Sequence, residues 1–100
     1  MFMAFISTTI TPKTAPVPIL AGRGISRVTQ VLIKMRSAGT STYVAVGGAD
    51  SQSARIAAVG EGISFDTPRG KRYLDVRSLF ISSDTADAVM EIIADTYEGI

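Results

Sequence analysis

The 100-residue chain contains no cysteine, no histidine and no tryptophan. Without cysteine it can form neither disulfides nor thiolate metal sites, so stability must come from packing or assembly. Without histidine neither a Ser-His-Asp nor a Cys-His nucleophilic site can be assembled, nor the usual imidazole zinc site. Long apolar runs are missing too, because the longest are a few residues against the roughly 20 that cross a bilayer as a helix. No membrane partner is expected. Charge of one sign is equally scarce: ten Lys and Arg against nine Asp and Glu leave a net charge of +1. So small a field draws in neither nucleic acid nor an anionic surface. The opening Met1-Phe2-Met3-Ala4-Phe5-Ile6 lacks the basic segment and long apolar core of a secretory signal, which suggests an intracellular origin.

What the chain does have is apolar content. Hydrophobic residues make up 46% and charged residues 19%, high for a domain with so much surface to cover, so part of that apolar surface is expected to face another subunit. One hundred residues suit a single domain. Residues 1–25 stand apart within it. Pro12, Pro16 and Pro18 remove backbone donors and fix φ, so residues 11–20 should be extended or edge-strand. They read as an extended N-terminal arm (1–25) ahead of a folded domain (26–100). Such an arm could pair with a neighbouring chain's sheet edge or serve as a first strand of its own domain.

From residue 26 onward short half-buried strands alternate with turn residues, the signature of an all-β antiparallel sandwich or jelly-roll-like barrel. Residues 28–35 place Thr29, Val31, Ile33 and Met35 on the core face and Val28, Gln30, Leu32 and Lys34 on the other. A polar turn leads to residues 43–48, where Tyr43 and Ala45 alternate with Val44 and Val46. Both faces are apolar, as in a central or interface strand. A short stretch at 54–59 precedes Gly60-Glu61-Gly62, after which Ile63 and Phe65 share a face, and residues 79–82 form a further strand. The last segment is open to two readings. Ala86, Val89, Met90, Ile93 and Tyr97 recur at helical spacing with Ser83 or Asp84 as a cap, yet the β-branched run at 89–93 and the upstream pattern favour a closing strand.

No catalytic, cofactor-binding or metal residues emerge from the motifs. Asp84 and Asp87 lie close together, while Asp66, Asp75, Glu91 and Asp95 are scattered. An acid–base pair needs a pocket that shifts one pKa, and calcium at Asp84 and Asp87 would need more oxygen ligands than the spacing offers. The glycine pairs Gly22/Gly24, Gly47/Gly48 and Gly60/Gly62 extend to no phosphate-binding motif. Arg69, Lys71 and Arg72 form a basic turn that reads as a solvated hairpin tip. Tyr43, Phe65, Tyr73, Phe80 and Tyr97 are spaced like core residues and offer no paired exposed rings for base stacking.

Taken in order, Arg27-Val28-Thr29-x-Val31, a small polar turn, Tyr43-Val44-Ala45-Val46-Gly47, Gly60-Glu61-Gly62-Ile63-Ser64-Phe65-Asp66, Leu79-Phe80-Ile81-Ser82 and Thr85-Ala86-Asp87-Ala88-Val89 resemble small β-sandwich virion proteins of tailed bacteriophages. The resemblance covers about 70 residues, omits residues 1–25, and departs by an insertion at 48–58 and an extension past Ile93. It implies a non-enzymatic structural role as a capsid decoration or cement protein, located in the virion. The implied partner is the major capsid protein or another virion protein, and the implied state a symmetric homo-oligomer with a trimer favoured. The alternative is a fibre, neck or tail component that binds a receptor or carbohydrate, for which Tyr73, Arg69 and Lys71 form the one candidate cluster.

Overall fold

The computed structural model describes residues 5–85 and 87–97. Nine strands occupy them: β1 (Phe5–Ile10), β2 (Val17–Pro18), β3 (Arg27–Ser37), β4 (Val44–Gly47), β5 (Ala54–Ile56), β6 (Gly62–Asp66), β7 (Leu74–Asp75), β8 (Phe80–Ser83) and β9 (Val89–Thr96), with one 3₁₀ turn at Val76–Ser78. They form two antiparallel sheets. One has the order β1-β9-β3-β6, with β7 pairing β3 beyond the end of β6, and the other has the order β2-β8-β4-β5. This is the all-β sandwich that the alternating pattern implies. Only β4 and β5 are both consecutive in sequence and paired, so nearly every sheet contact joins distant parts of the chain.

The core is aliphatic. Val31, Ile33 and Met35 of β3 and Met90, Ile92 and Ala94 of β9 turn inward against Val44 and Val46 of β4, Ile56 of β5 and Ile81 of β8. Full burial of such side chains contributes about 1.5–3 kcal/mol each before ordering costs. Among the described residues the large hydrophobic side chains left exposed are Val59 and Tyr73. Of the aromatics spaced like core residues, Phe65 packs against this core. Tyr43, Phe65, Phe80 and Tyr97 are half-buried and Tyr73 is exposed, because branched aliphatics already fill the narrow space between the sheets.

Two details of β3 and β9 revise the sequence reading. Val28, expected on the outer face, is fully buried, because a register irregularity between Val28 and Gln30 turns the strand by one residue. The closing segment is a strand. Val89, Glu91, Ile93 and Asp95 face outward while Met90, Ile92, Ala94 and Thr96 face inward, a period of two that no helix could present. Ala86, part of the helical spacing, lies outside the described residues.

Residues 5–19 lie along their own chain. β1 pairs with β9 from Phe5↔Asp95 to Ile10↔Met90, and β2 pairs with β8. Between them, the Ser83 amide donates to the Lys13 carbonyl (2.9 Å) and the Ile19 amide to the Leu79 carbonyl (3.0 Å). Within the proline-rich stretch 11–20 only Val17–Pro18 is strand, after a bend at 14–15 and before a turn from Ile19, so the stretch supplies one edge strand, β2, while β1 ahead of it supplies the edge of the other sheet.

Candidate functional site

The densest polar cluster closes one end of the sandwich, where the β3–β4 loop meets the β8–β9 loop. Asp87 is its hub. One carboxylate oxygen accepts from the Thr40 amide (2.7 Å) and hydroxyl (2.6 Å), and the other from the hydroxyls of Thr85 (2.6 Å) and Ser41 (3.2 Å). Asp84 accepts the Thr42 amide through both oxygens (3.1 and 3.0 Å), and the Thr42 hydroxyl besides. Inside this ring the Ser41 hydroxyl meets those of Thr85 (2.6 Å) and Ser83 (2.9 Å). Ser41 and Ser83 are both buried, and among the described residues no buried side-chain polar atom lacks a partner.

The local chain makes this closure possible. Gly39 has φ +56°, and a Cβ there would stand 2.6 Å from the Asp87 carboxyl carbon and carbonyl oxygen. Only glycine brings the loop so close to Asp87. The donors set the carboxylates' charge state: the Thr40 hydroxyl, then Thr85, the Thr40 amide and Ser41 hold Asp87 well below the usual carboxylate range, and the Thr42 hydroxyl and amide lower Asp84. Carboxylates so stabilised as anions are weak bases near neutral pH. Chemically the cluster is suited to clasping two loops together. Among the described residues no group of three or more His, Cys, Asp or Glu side chains gathers as a cation-holding set.

At the opposite end of β3 the 67–73 loop carries Arg69, Lys71 and Arg72, all exposed. Among the described residues the ion pairs are Arg77–Asp75 (2.8 Å) and Arg36–Glu91 (3.8 Å), so these three cations face solvent. The Arg77 guanidinium and then its amide lower the Asp75 pKa to about 2, which fixes the 3₁₀ turn beside the loop. A groove of about 460 Å³ runs along Pro68, Gly70, Lys71, Arg72, Tyr73, Leu74, Asp75 and Ser78. Beside it the Tyr73 and Tyr97 rings stack with centroids 5.7 Å apart, and the Arg27 guanidinium lies 5.4 Å from the Tyr73 centroid. The pairing of the rings is absent from the sequence reading, yet Tyr97 is half-buried, so they are not the paired exposed rings of a base-stacking platform. The pairing was hidden because Tyr73 and Tyr97 are brought together by β7 and β9 flanking the same end of β3.

The structure thus gathers Asp84 and Asp87 in the clasp, sets Asp75 on Arg77, and leaves Asp66, Glu91 and Asp95 apart on the outer face of the larger sheet. Comparison with protein-family models, curated proteins and solved structures found no match.

Proposed function

We propose that the chain is a structural virion protein, a capsid decoration or cement protein that binds and stabilises a phage shell through subunit contacts. The supporting observation is that four of the five segments carrying the resemblance fall largely on strands of the sandwich, the segment 85–89 reaching only the first residue of β9. Arg27, Val28, Thr29 and Val31 lie in β3, Val44–Gly47 is β4, Gly62–Asp66 is β6, and the Leu79-Phe80-Ile81-Ser82 motif runs into β8. The reading is non-enzymatic and contact-based: the hydroxyl–carboxylate cluster is closed on itself, and the surfaces left for partners are strand edges and loops. The partner in this reading is the major capsid protein or another virion protein.

Particles purified by density gradient from the source of this chain should carry it in a copy number matched to the shell lattice. Particles stripped of it should open at lower temperature and regain resistance when the protein is added back. Particles that lack the chain would overturn the reading. Removing residues 1–20 is not a clean test of binding, because it takes an edge strand from each sheet.

A second reading, a fibre, neck or tail component that binds carbohydrate, draws on the groove beside the stacked Tyr73 and Tyr97. Sugars pack on aromatic faces while polar neighbours fix their hydroxyls. A glycan array should then give hits that Tyr73→Ala abolishes, and a silent array would dismiss it.

A further inference from the structure

The four sheet edges are not equally protected. β2 is two residues long and contains Pro18, β5 is three residues long and contains Arg55, and β6 begins at Gly62 and ends at Asp66. Short length, proline and charge are the usual devices that keep an edge from pairing. β1 has none of them. Its six residues, Phe-Ile-Ser-Thr-Thr-Ile, carry no charge, proline or glycine, and its pairing with β9 runs without a register shift.

The backbone direction of this edge follows from the ladder. The Met35 amide donates to the Glu61 carbonyl (3.0 Å), the Met35 carbonyl accepts from the Gly60 amide (2.9 Å), and the Thr29 carbonyl accepts from the Thr67 amide (3.0 Å), so these β3 residues bond away from β9. In an antiparallel ladder alternate residues bond to opposite sides. Gln30, Leu32 and Lys34 therefore bond to Asp95, Ile93 and Glu91 of β9, which leaves Ala94, Ile92 and Met90 for Ile6, Thr8 and Ile10 of β1. Ser7 and Thr9 then direct their backbone N–H and C=O groups outward. The Arg23 guanidinium, 3.5 Å from the Thr9 carbonyl, touches one of them.

We infer that β1 is a self-association edge whose occupant is β1 of a second copy of this chain, antiparallel across a two-fold axis at Thr8. The sequence of the strand is self-complementary about that residue. Reversed, Ile6-Ser7-Thr8-Thr9-Ile10 sets Ile6 opposite Ile10 of the second copy, Ser7 opposite Thr9, and Thr8 opposite Thr8. The outward backbone groups fit this register: Ser7 and Thr9 of the two copies exchange both hydrogen bonds of each pair, while Thr8, already bonded to β9, faces its counterpart in the closer, non-hydrogen-bonded geometry. Ile6 and Ile10, half-buried against the core, extend the inner apolar layer across the axis, and the Ser7 and Thr9 hydroxyls meet on the outer face. An isologous pair of this kind is a closed dimer, not the trimer expected from the sequence. One strand pair is small against a standard interface, so the dimer is reversible, with dissociation in the micromolar range or weaker. The inference does not rest on the virion reading and stands or falls separately from it.

The test is light scattering and sedimentation of the full chain from micromolar to millimolar concentration. A reversible dimer is expected. Ser7→Pro, which removes an outward N–H that β9 does not use, should weaken it about tenfold or more. Arg23→Ala, which frees the Thr9 carbonyl, should tighten it. Because the chain has no cysteine, Thr8→Cys reports the register directly. Opposed residues with Cα atoms about 4.5 Å apart fall within disulfide reach, so mild oxidation should yield a covalent dimer, whereas Ser7→Cys should not link. The cross-link decides the question even where Ser7→Pro does not fold. A wild-type monomer across the whole range, or a dimer that Thr8→Cys fails to link, would overturn the inference.

Discussion

At the Ser37 end of β3 the Asp84 and Asp87 carboxylates face hydroxyls and amides of the neighbouring loop, and each anion has several donors. At the Arg27 end Arg69, Lys71 and Arg72 stand on an exposed turn, and among the described residues no carboxylate lies within ion-pair distance of them. Both ends hang from the same β3–β9 pair. The difference is one of purpose: polar groups satisfied within the chain hold the fold shut, while charges left in water are available to something else.

The largest effect should come from the shared centre. Ile92→Ala, at a fully buried position of β9, should cost about 2–5 kcal/mol in denaturant unfolding, a large part of the roughly 5–15 kcal/mol available to a small domain. It should loosen both ends together. Loss at one end alone would mean that the ends are not coupled through β3 and β9.

Next come two glycines with positive φ, one at each end. Gly39→Ala meets both an unfavourable backbone conformation and the Asp87 carboxyl, whereas Gly70 (φ +80°) has nothing within 4 Å of an added Cβ. Gly70→Ala should cost about 1 kcal/mol of backbone strain, and Gly39→Ala distinctly more. Equal costs in thermal unfolding would remove the claim that loop closeness at Gly39 matters.

Acid should act mainly on the clasp. Asp84 and Asp87 have folded pKa values below the unfolded value of about 3.9. Their contribution is therefore complete above that value and is lost as pH falls through the folded ones. The unfolding midpoint should be flat from about pH 7 to 5 and fall below about pH 4. Asp84→Asn with Asp87→Asn should flatten that decline, while Asp75→Asn should remove only the share that Asp75, at about 2, holds through Arg77. An unchanged acid limb in the double variant would contradict the assignment.

The smallest effect belongs to the basic turn. Replacing Arg69, Lys71 and Arg72 by Gln should change stability by no more than about 0.5 kcal/mol, read by the same unfolding curves. A larger loss would mean that these cations are structural after all.

The sandwich was legible where the pattern is local. The alternation in β3 reads as a strand between polar and glycine-marked turns, because a period of two is written residue by residue, whereas the β9 segment carries helical spacing as well and only its β-branched run favours the strand. Long-range pairing was not. Nothing near Phe5–Ile10 says that its neighbour is β9, and the buried position of Val28 depends on an irregularity set by the partner strand. The clasp was only half visible. Two loops rich in Ser, Thr and Asp, around residues 40–42 and 83–87, could have suggested it, but their meeting is a product of strand order. The stacked Tyr73 and Tyr97 were invisible for the same reason.

Amide hydrogen exchange at neutral pH, resolved by residue, bears most directly on a scaffold whose Asp84 and Asp87 carboxylates, though exposed, are held by donors of the neighbouring loop. The Thr40 and Thr42 amides, which donate to Asp87 and Asp84, should be protected although they lie in a loop, while Arg69, Gly70 and Arg72 on the basic turn exchange freely. Thr40 and Thr42 exchanging as fast as the basic turn would contradict the clasp and reopen Asp84 and Asp87 as groups free for chemistry.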